Sequence, residues 1–168
     1  GKKDLIILSK KELSLNNKSS LEIKNYSFSK DREKILIFTN TKKVWRYETK
    51  GDYWVFDLKT KKLIKLGNNL PESSLMFAKF SPDGKNVAYV SKENSVKNAV
   101  RNSSTNANIY IENLEKNIIK KITSSNNTKK LINGTFDWAY EEEFDCRDGF
   151  LFNQEGTKIA FWQIDANQ

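Results

Sequence analysis

Three segments of this sequence repeat one pattern, an aromatic residue, a polar turn and a β-rich run: Phe28-Ser29-Lys30-Asp31, Phe80-Ser81-Pro82-Asp83-Gly84 and Phe152-Asn153-Gln154-Glu155-Gly156. The runs that follow are Ile35-Leu36-Ile37-Phe38, Val87-Ala88-Tyr89-Val90 and Ile159-Ala160-Phe161-Trp162, rich in the β-branched and aromatic residues that fit a pleated surface. Proline presets φ and glycine accepts φ > 0, so Pro82-Asp83-Gly84 between apolar runs reads as a turn. A second motif follows the first two runs, with Tyr53 to Leu58 answered by Asn108 to Leu114. Each leads through a polar turn into a returning strand, Leu63 to Leu66 and Ile118 to Ile122, so the repeating unit is a four-stranded antiparallel meander.

The spacing from Asp31 to Asp83 is 52 residues and from Gly84 to Gly156 it is 72, the excess falling in the polar loops Ser91 to Asn108 and Ser124 to Asp148. Units of ~40 to 50 residues holding four strands indicate propeller blades. The alternative, a β-sandwich, would alternate in the same way but would not repeat the turn chemistry. The expected fold is therefore all-β, a partial β-propeller of about three four-stranded blades. Gly-His and Trp-Asp blade signatures are missing. Closed propellers take ~4 to 8 blades, so 168 residues are expected to be a fragment, with a blade remnant at 1–25, blades at 26–67 and 75–123, an excursion at 133–149 and the start of another blade at 150–168. Leu5 to Leu8 is read as an opening strand, and Trp162 to Asp165 as lying just past the final one.

Composition limits the chemistry. The sequence has no histidine, so a Ser-His-Asp or Cys-His centre, which needs an imidazole to shuttle the proton, cannot lie within it. The single cysteine, Cys146, excludes an intrachain disulfide and a thiolate-rich zinc site, and is expected to be a half-buried side chain. No apolar run approaches the ~20 residues of a membrane span. The net charge of +8 comes from lysines scattered through turns and exposed strand positions, a solvated surface rather than a nucleic-acid site.

One segment opposes that basic background. Asp137, Glu141, Glu142, Glu143, Asp145 and Asp148 are accompanied locally by one cation, Arg147. Trp138, Tyr140, Phe144 and Phe150 interleave with them and are expected to anchor the segment while the carboxylates face elsewhere. In a strand Glu142 and Glu143 would point to opposite faces, so a convergent pair needs a helical turn, in which neighbours are ~100° apart and the third glutamate points away. Adjacent carboxylates repel, and a bound cation relieves the repulsion. An ammonium group is the natural ligand.

Asp137-Trp138-Ala139-Tyr140-Glu141-Glu142-Glu143 resembles the Asp-Trp-x-Tyr-Glu-Glu-Glu motif of the dipeptidyl peptidase IV family, matching every specified position. A second likeness is Val44-Trp45-Arg46-Tyr47 with the strand Asp52 to Leu58, similar to that family's Trp-Arg segment. The resemblance extends from Tyr26 to Asp165; its departures are Asn153-Gln154-Glu155-Gly156 in place of Ser-Pro-Asp-Gly and the missing glycine in Lys30-Asp31-Arg32-Glu33. It implies that Glu142 and Glu143 bind the free amino group of a peptide substrate, that Glu141 is mainly structural, and that Arg46 holds the substrate backbone, with Asp137, Trp138 and Tyr140 in support. It also implies an eight-bladed propeller joined to an α/β-hydrolase domain whose serine, aspartate and histidine release X-Pro or X-Ala dipeptides, that domain being absent from this sequence. No cofactor or metal is implied.

Without substrate, Arg46 is expected to turn to Glu142, because two adjacent glutamates need a counter-charge. The partners expected are peptides with a free N-terminus, the hydrolase domain and, through open blade edges, a second copy. A non-catalytic propeller that binds proteins is the alternative within the same resemblance. The Lys/Asn/Ile-rich composition reads as bacterial, and an exported protein of the periplasm or cell surface is expected; the start at Gly1-Lys2-Lys3-Asp4 places any leader upstream or removed. Asn-x-Ser/Thr triplets at Asn17, Asn25, Asn102, Asn126 and Asn133 carry little weight in an Asn/Ser/Thr-rich chain, and Asn133 has a structural reason to precede Gly134.

Overall fold

The polar turns build the strands in register. In a computed structural model, which describes residues 6–15, 19–44, 46–68, 70–92, 106–124 and 130–166, a short hairpin of β1 (Ser14–Leu15) and β2 (Ser19–Ser20) precedes the first meander. That meander is β3 (Asn25–Phe28), β4 (Lys34–Val44), β5 (Tyr47–Asp57) and β6 (Leu63–Lys65), each antiparallel to the next. The second is β7 (Leu75–Phe80), β8 (Asn86–Lys92), β9 (Ala107–Asn113) and β10 (Ile118–Lys121). A single pair, Gly51 with Leu75, joins the two. After them come β11 (Leu131–Asn133), the helix α1 (Trp138–Phe144), the hairpin β12 (Phe150–Phe152) and β13 (Ile159–Phe161), and β14 (Gln163–Asp165), which pairs back onto β11.

The repeated turns close by the same bonds. The Ser29 hydroxyl donates to Asp31 at 2.6 Å and accepts the Lys34 N–H at 2.9 Å; Ser81 donates to Asp83 at 2.5 Å and accepts the Asn86 N–H at 3.0 Å. In the third turn the Asn153 side-chain oxygen takes the Lys158 N–H at 2.8 Å, so asparagine substitutes for the serine. The positive-φ position is Gly84 or Gly156 in two of these turns and Arg32, at φ 59°, in the other.

Strand alternation buries both faces of each meander. Leu36, Val55, Val87 and Tyr89 share one core between the two meanders, with Leu66, Leu75 and Tyr110. Their neighbours turn the other way. Ile35, Ile37 and Phe56 pack on Leu13 on the N-terminal side, whereas Ala88 and Val90 join Ile109, Ile132 and Phe150 on the C-terminal side. Successive layers, each buried between its neighbours, are the arrangement of propeller blades, and the fold is that of a partial propeller.

Two expectations at the ends are corrected. Residues 6–8 form no strand: Ile6 and Ile7 are exposed and only Leu8 of these packs on the core, because no neighbouring strand offers them a ladder. Leu5 lies outside the described residues. Conversely, Gln163–Asp165 is itself a strand, paired with Leu131–Asn133, a non-local partner that local pattern does not reveal. The polar loop set at Ser91 to Asn108 is also shorter, since β8 runs on through Lys92 and β9 begins at Ala107.

Candidate functional site

The site is assembled from a hairpin tip and an excursion. β4 and β5 run 11 residues each and cross bulges between Thr39, Lys42 and Val44; Val44 pairs with Tyr47, so Arg46 sits in the tight turn at the far end. Trp45 lies outside the described residues. The inner half of β5 is buried and its outer half, from Tyr47, is exposed, so the tip projects beyond the core.

The excursion leaves and rejoins the sheet through a narrow neck. Thr135 bridges Asp148, the Gly149 N–H donates to the Gly134 carbonyl at 3.1 Å, and the Thr135 hydroxyl donates to the Arg147 carbonyl at 2.9 Å. Gly134 is required there: at φ +73° an added Cβ would lie 2.7 Å from Ile109 Cγ1. Lys79 of β7 pins the returning leg with donations to both Asp148 carboxylate oxygens at 2.7 and 2.6 Å and to the Phe150 carbonyl at 2.7 Å.

Within the excursion α1 starts at Asp137, whose side chain accepts the Tyr140 N–H at 3.0 Å, and ends at Asp145 in the left-handed conformation, φ 56°. The N-cap carboxylate satisfies an otherwise orphan donor and suits the positive end of the helix. The last turn lacks a basic residue of its own, so the cations come from outside the helix.

Those cations turn two glutamates inward. Arg46 Nε lies 3.0 Å from Glu142 Oε2, the ion pair expected from the sequence, with Glu142 19% and Arg46 77% exposed at the side chain. Arg147 Nε lies 3.6 Å from Glu141 Oε1, and its Nη2 pairs with Asp145 Oδ1. The Arg147 guanidinium also stacks on Tyr47, 3.5 Å from the ring centroid. Burial pushes the Glu141 carboxyl above its ordinary pKa; Arg147 opposes this, Glu142 adds to it, and Lys92 also opposes it. Lys92 is itself lowered by burial, an effect that the Glu141 charge resists. One oxygen of each carboxylate, Oε1 of Glu141 and of Glu142, is buried without a hydrogen-bond partner among the described residues. Glu141 Oε1 faces Arg147 Nε, whereas Glu142 Oε1 is an acceptor able to take an N–H. Glu143 is exposed, so the two glutamates turned inward are Glu141 and Glu142 and not the Glu142–Glu143 pair expected from the sequence, because the arginines face the first two.

The aromatic residues reverse their expected role. Trp138 is 61% and Phe144 69% exposed, and Tyr140 is also exposed; only Phe150 of the expected anchors is buried. Phe144 meets Tyr140, Tyr140 meets Phe136 and Phe136 meets Trp162, each pair of rings tilted, in a row. Large apolar rings gain most from burial, but here the inner wall is charged, and the glutamates gain more by facing Arg46 and Arg147.

The model of the dipeptidyl peptidase IV (DPP IV) N-terminal region matches residues 29–168. The chain belongs to this family. It is 29% identical to dipeptidyl aminopeptidase B of Saccharomyces cerevisiae over 156 residues, covering 92% of this chain and 17% of the yeast protein. It is 30% identical to human prolyl endopeptidase FAP over 150 residues, covering 89% of this chain and 16% of that protein. The crystal structure of Porphyromonas gingivalis dipeptidyl peptidase 4 superimposes with a TM-score of 0.69 at 25% identity, over 86% of this chain and 18% of that one. The chain thus spans about a sixth of the length of the relatives it matches.

Within this DPP IV N-terminal region, Arg46, Glu141 and Glu142 come together, and Asp137 caps the helix that carries the two glutamates. The sequence reading did not foresee Tyr47, Lys92 or Lys79. Tyr47 adjoins the arginine already singled out, and Arg147 was visible as the local cation of the acidic stretch. Lys92 and Lys79 reach the site from β8 and β7, and no local pattern marks them. No helix among the described residues is long and apolar enough to cross a membrane. Cys146 is half-buried. Asn133 is fully buried and bonded to the Ala107 carbonyl and to Gln163, so it is no free acceptor for a glycan, while Asn17, Asn102 and Asn126 lie outside the described residues.

Proposed function

We propose that this chain is the substrate-gating, N-terminus-recognising propeller region of an exported serine dipeptidyl aminopeptidase, whose catalytic serine, aspartate and histidine belong to an α/β-hydrolase domain outside these residues. Glu142 and Glu143 receive the substrate's α-ammonium, and Arg46 donates to its backbone carbonyl. The observation that carries this reading is the Arg46–Glu142 ion pair at 3.0 Å, between residues far apart in sequence, beside a carboxylate oxygen with no donor among the described residues.

The chemistry follows from charge and geometry. An α-ammonium offers a full charge and three N–H donors, which an internal peptide amide lacks, and charge-assisted bonds to carboxylates are the stronger kind. Holding the N-terminus at one point sets how far the chain reaches, so one peptide bond is presented to the nucleophile. Arg46 is pre-paired with Glu142. Its fork of donors can turn to a carbonyl while the incoming ammonium takes over the neutralisation of the carboxylate. The α-amine titrates near pH ~7.7 to 8, so recognition weakens as the pH rises past that point.

A second reading, a propeller that binds protein partners without cutting them, draws on the exposed aromatic side chains Trp138, Tyr140, Phe144 and Trp162, since aromatic residues are enriched at interfaces. One assay separates the two. The full-length protein is given a Gly-Pro chromogenic substrate and its N-acetylated form. The peptidase reading expects release from the free amine and little from the acetylated compound; cleavage of neither supports the binding module, and equal cleavage of both rules out recognition of the ammonium.

A further inference from the structure

The Arg46 side chain is 77% exposed and pairs with Glu142. A long side chain with four rotatable torsions, on a two-residue turn, is not held by its own packing; its placement depends on what holds the turn. A second contact between the hairpin tip and the excursion is made one residue further on, where the Tyr47 ring lies against the Arg147 guanidinium at 3.5 Å. Arg147 is in turn fixed from three sides. Its Nη2 pairs with Asp145, its Nε faces Glu141 at 3.6 Å, and its carbonyl accepts the Thr135 hydroxyl at 2.9 Å in the neck of the excursion. Its side chain is 22% exposed, far less than that of Arg46.

We propose that Arg147, stacked on Tyr47 and paired with Glu141 and Asp145, is the positioning residue that sets the separation of Arg46 from Glu142. The planar guanidinium does two jobs that an ammonium cannot do together, lying flat on an aromatic ring while forking toward two carboxylates. Glu141 then has a defined role. It does not meet the ligand; it holds the arginine that holds the hairpin. The end of the short helix makes this possible, because Glu141 within it and Asp145 at its left-handed C-cap both reach Arg147 while Glu142 points at Arg46.

The inference rests on the peptidase reading above, and the experiment keeps the two apart. In the full-length protein, KM and kcat for a Gly-Pro chromogenic substrate are measured for Tyr47→Ala, Tyr47→Phe, Arg147→Lys, Arg46→Ala, Glu142→Gln and the double variant Arg46→Ala with Tyr47→Ala. Tyr47 is half-exposed, so its truncation leaves the core intact should Arg147→Lys fold poorly. Tyr47→Ala and Arg147→Lys are expected to raise KM about tenfold with kcat at saturation little changed, as for residues coupled through contact. Tyr47→Phe, which keeps the ring, restores the wild-type KM. The double variant is expected to behave like Arg46→Ala alone, because the tyrosine acts through the arginine.

Additive effects in the double variant, or a fall in kcat at unchanged KM, overturn the proposal and assign Tyr47 and Arg147 to general stability. An unchanged KM in Tyr47→Ala overturns it as well. If Glu142→Gln also leaves KM and kcat at wild-type values, it is the peptidase reading itself that fails. If Glu142→Gln raises KM and Tyr47→Ala does not, recognition by the glutamate stands and the positioning role falls.

Discussion

Arg32 occupies, at φ 59°, the position held by Gly84 and Gly156 in the equivalent turns, a conformation that is strained for a side chain bearing a Cβ. Arg32→Gly is therefore expected to stabilise the fold, by up to about 1 kcal/mol after the extra freedom glycine gives the unfolded chain is subtracted; a denaturation midpoint that falls would contradict it. Glu112 raises a different question. It is buried among the apolar residues between the meanders, accepting the Gly67 N–H at 2.9 Å and the Tyr89 hydroxyl at 3.2 Å, and burial raises its pKa above 4.5. A carboxyl with a raised folded-state pKa contributes its uncharged-form stability below the unfolded value and loses it as the pH climbs through the folded one. Glu112→Gln removes that titration and keeps an acceptor. Its stability relative to wild type should increase from acid to neutral pH, and a difference that stays constant over denaturation series at several pH values would exclude the buried charge as the cause. At this scale the sequence was a good guide to identity and a poor one to orientation. Asp137 to Glu143 marked the site, and the Arg46–Glu142 pair followed from the need for a counter-charge. The inward and outward faces came out reversed for Trp138, Tyr140 and Phe144, because which side of a short helix meets cations depends on Tyr47 and Arg147, brought there by the chain's path.

The elements that could be read were those whose signal is local. The turns at Ser29, Ser81 and Asn153 announce the strands after them, and the requirement that two adjacent glutamates share a sector called for a helical turn, found as Trp138–Phe144. Leu5 to Leu8 has strand composition but no ladder in its described part, and Gln163–Asp165 has three residues and a distant partner, so neither could be told from pattern. The neck of the excursion is where an element-scale prediction is sharpest. Gly134→Ala brings a methyl to 2.7 Å from Ile109 Cγ1 at φ +73° and is expected to cost about 1 to 3 kcal/mol, both overpacking the core and straining the turn. Asp137→Ala removes the N-cap and is expected to cost about 1 kcal/mol. The two should differ in kind. Gly134→Ala lowers the unfolding midpoint of the propeller, whereas Asp137→Ala chiefly raises amide hydrogen exchange in 138–144; the opposite assignment would mean that the helix, not the neck, is tied to the core.

Across the whole molecule, a set of layered four-stranded meanders supplies a rigid frame, and the two parts of the site are both extensions of it: an over-long hairpin from one meander and a loop with a helix after the next. Neither extension is needed to complete a blade, which is why both are available for recognition. The 168 residues contain no histidine, so purified on their own they are expected to release nothing from a Gly-Pro chromogenic substrate above a buffer blank. In the function proposed above, their contribution in the full-length protein is to discriminate by the substrate's end. The direct test of that contribution is kcat/KM for a substrate with a free N-terminus in full-length Glu142→Gln and Glu143→Gln, with folding checked by circular dichroism. Loss of one charge-assisted contact of about 1.5 to 3 kcal/mol predicts a fall of roughly 10- to 150-fold in each variant; wild-type values of kcat/KM in both would contradict recognition of the ammonium by this pair.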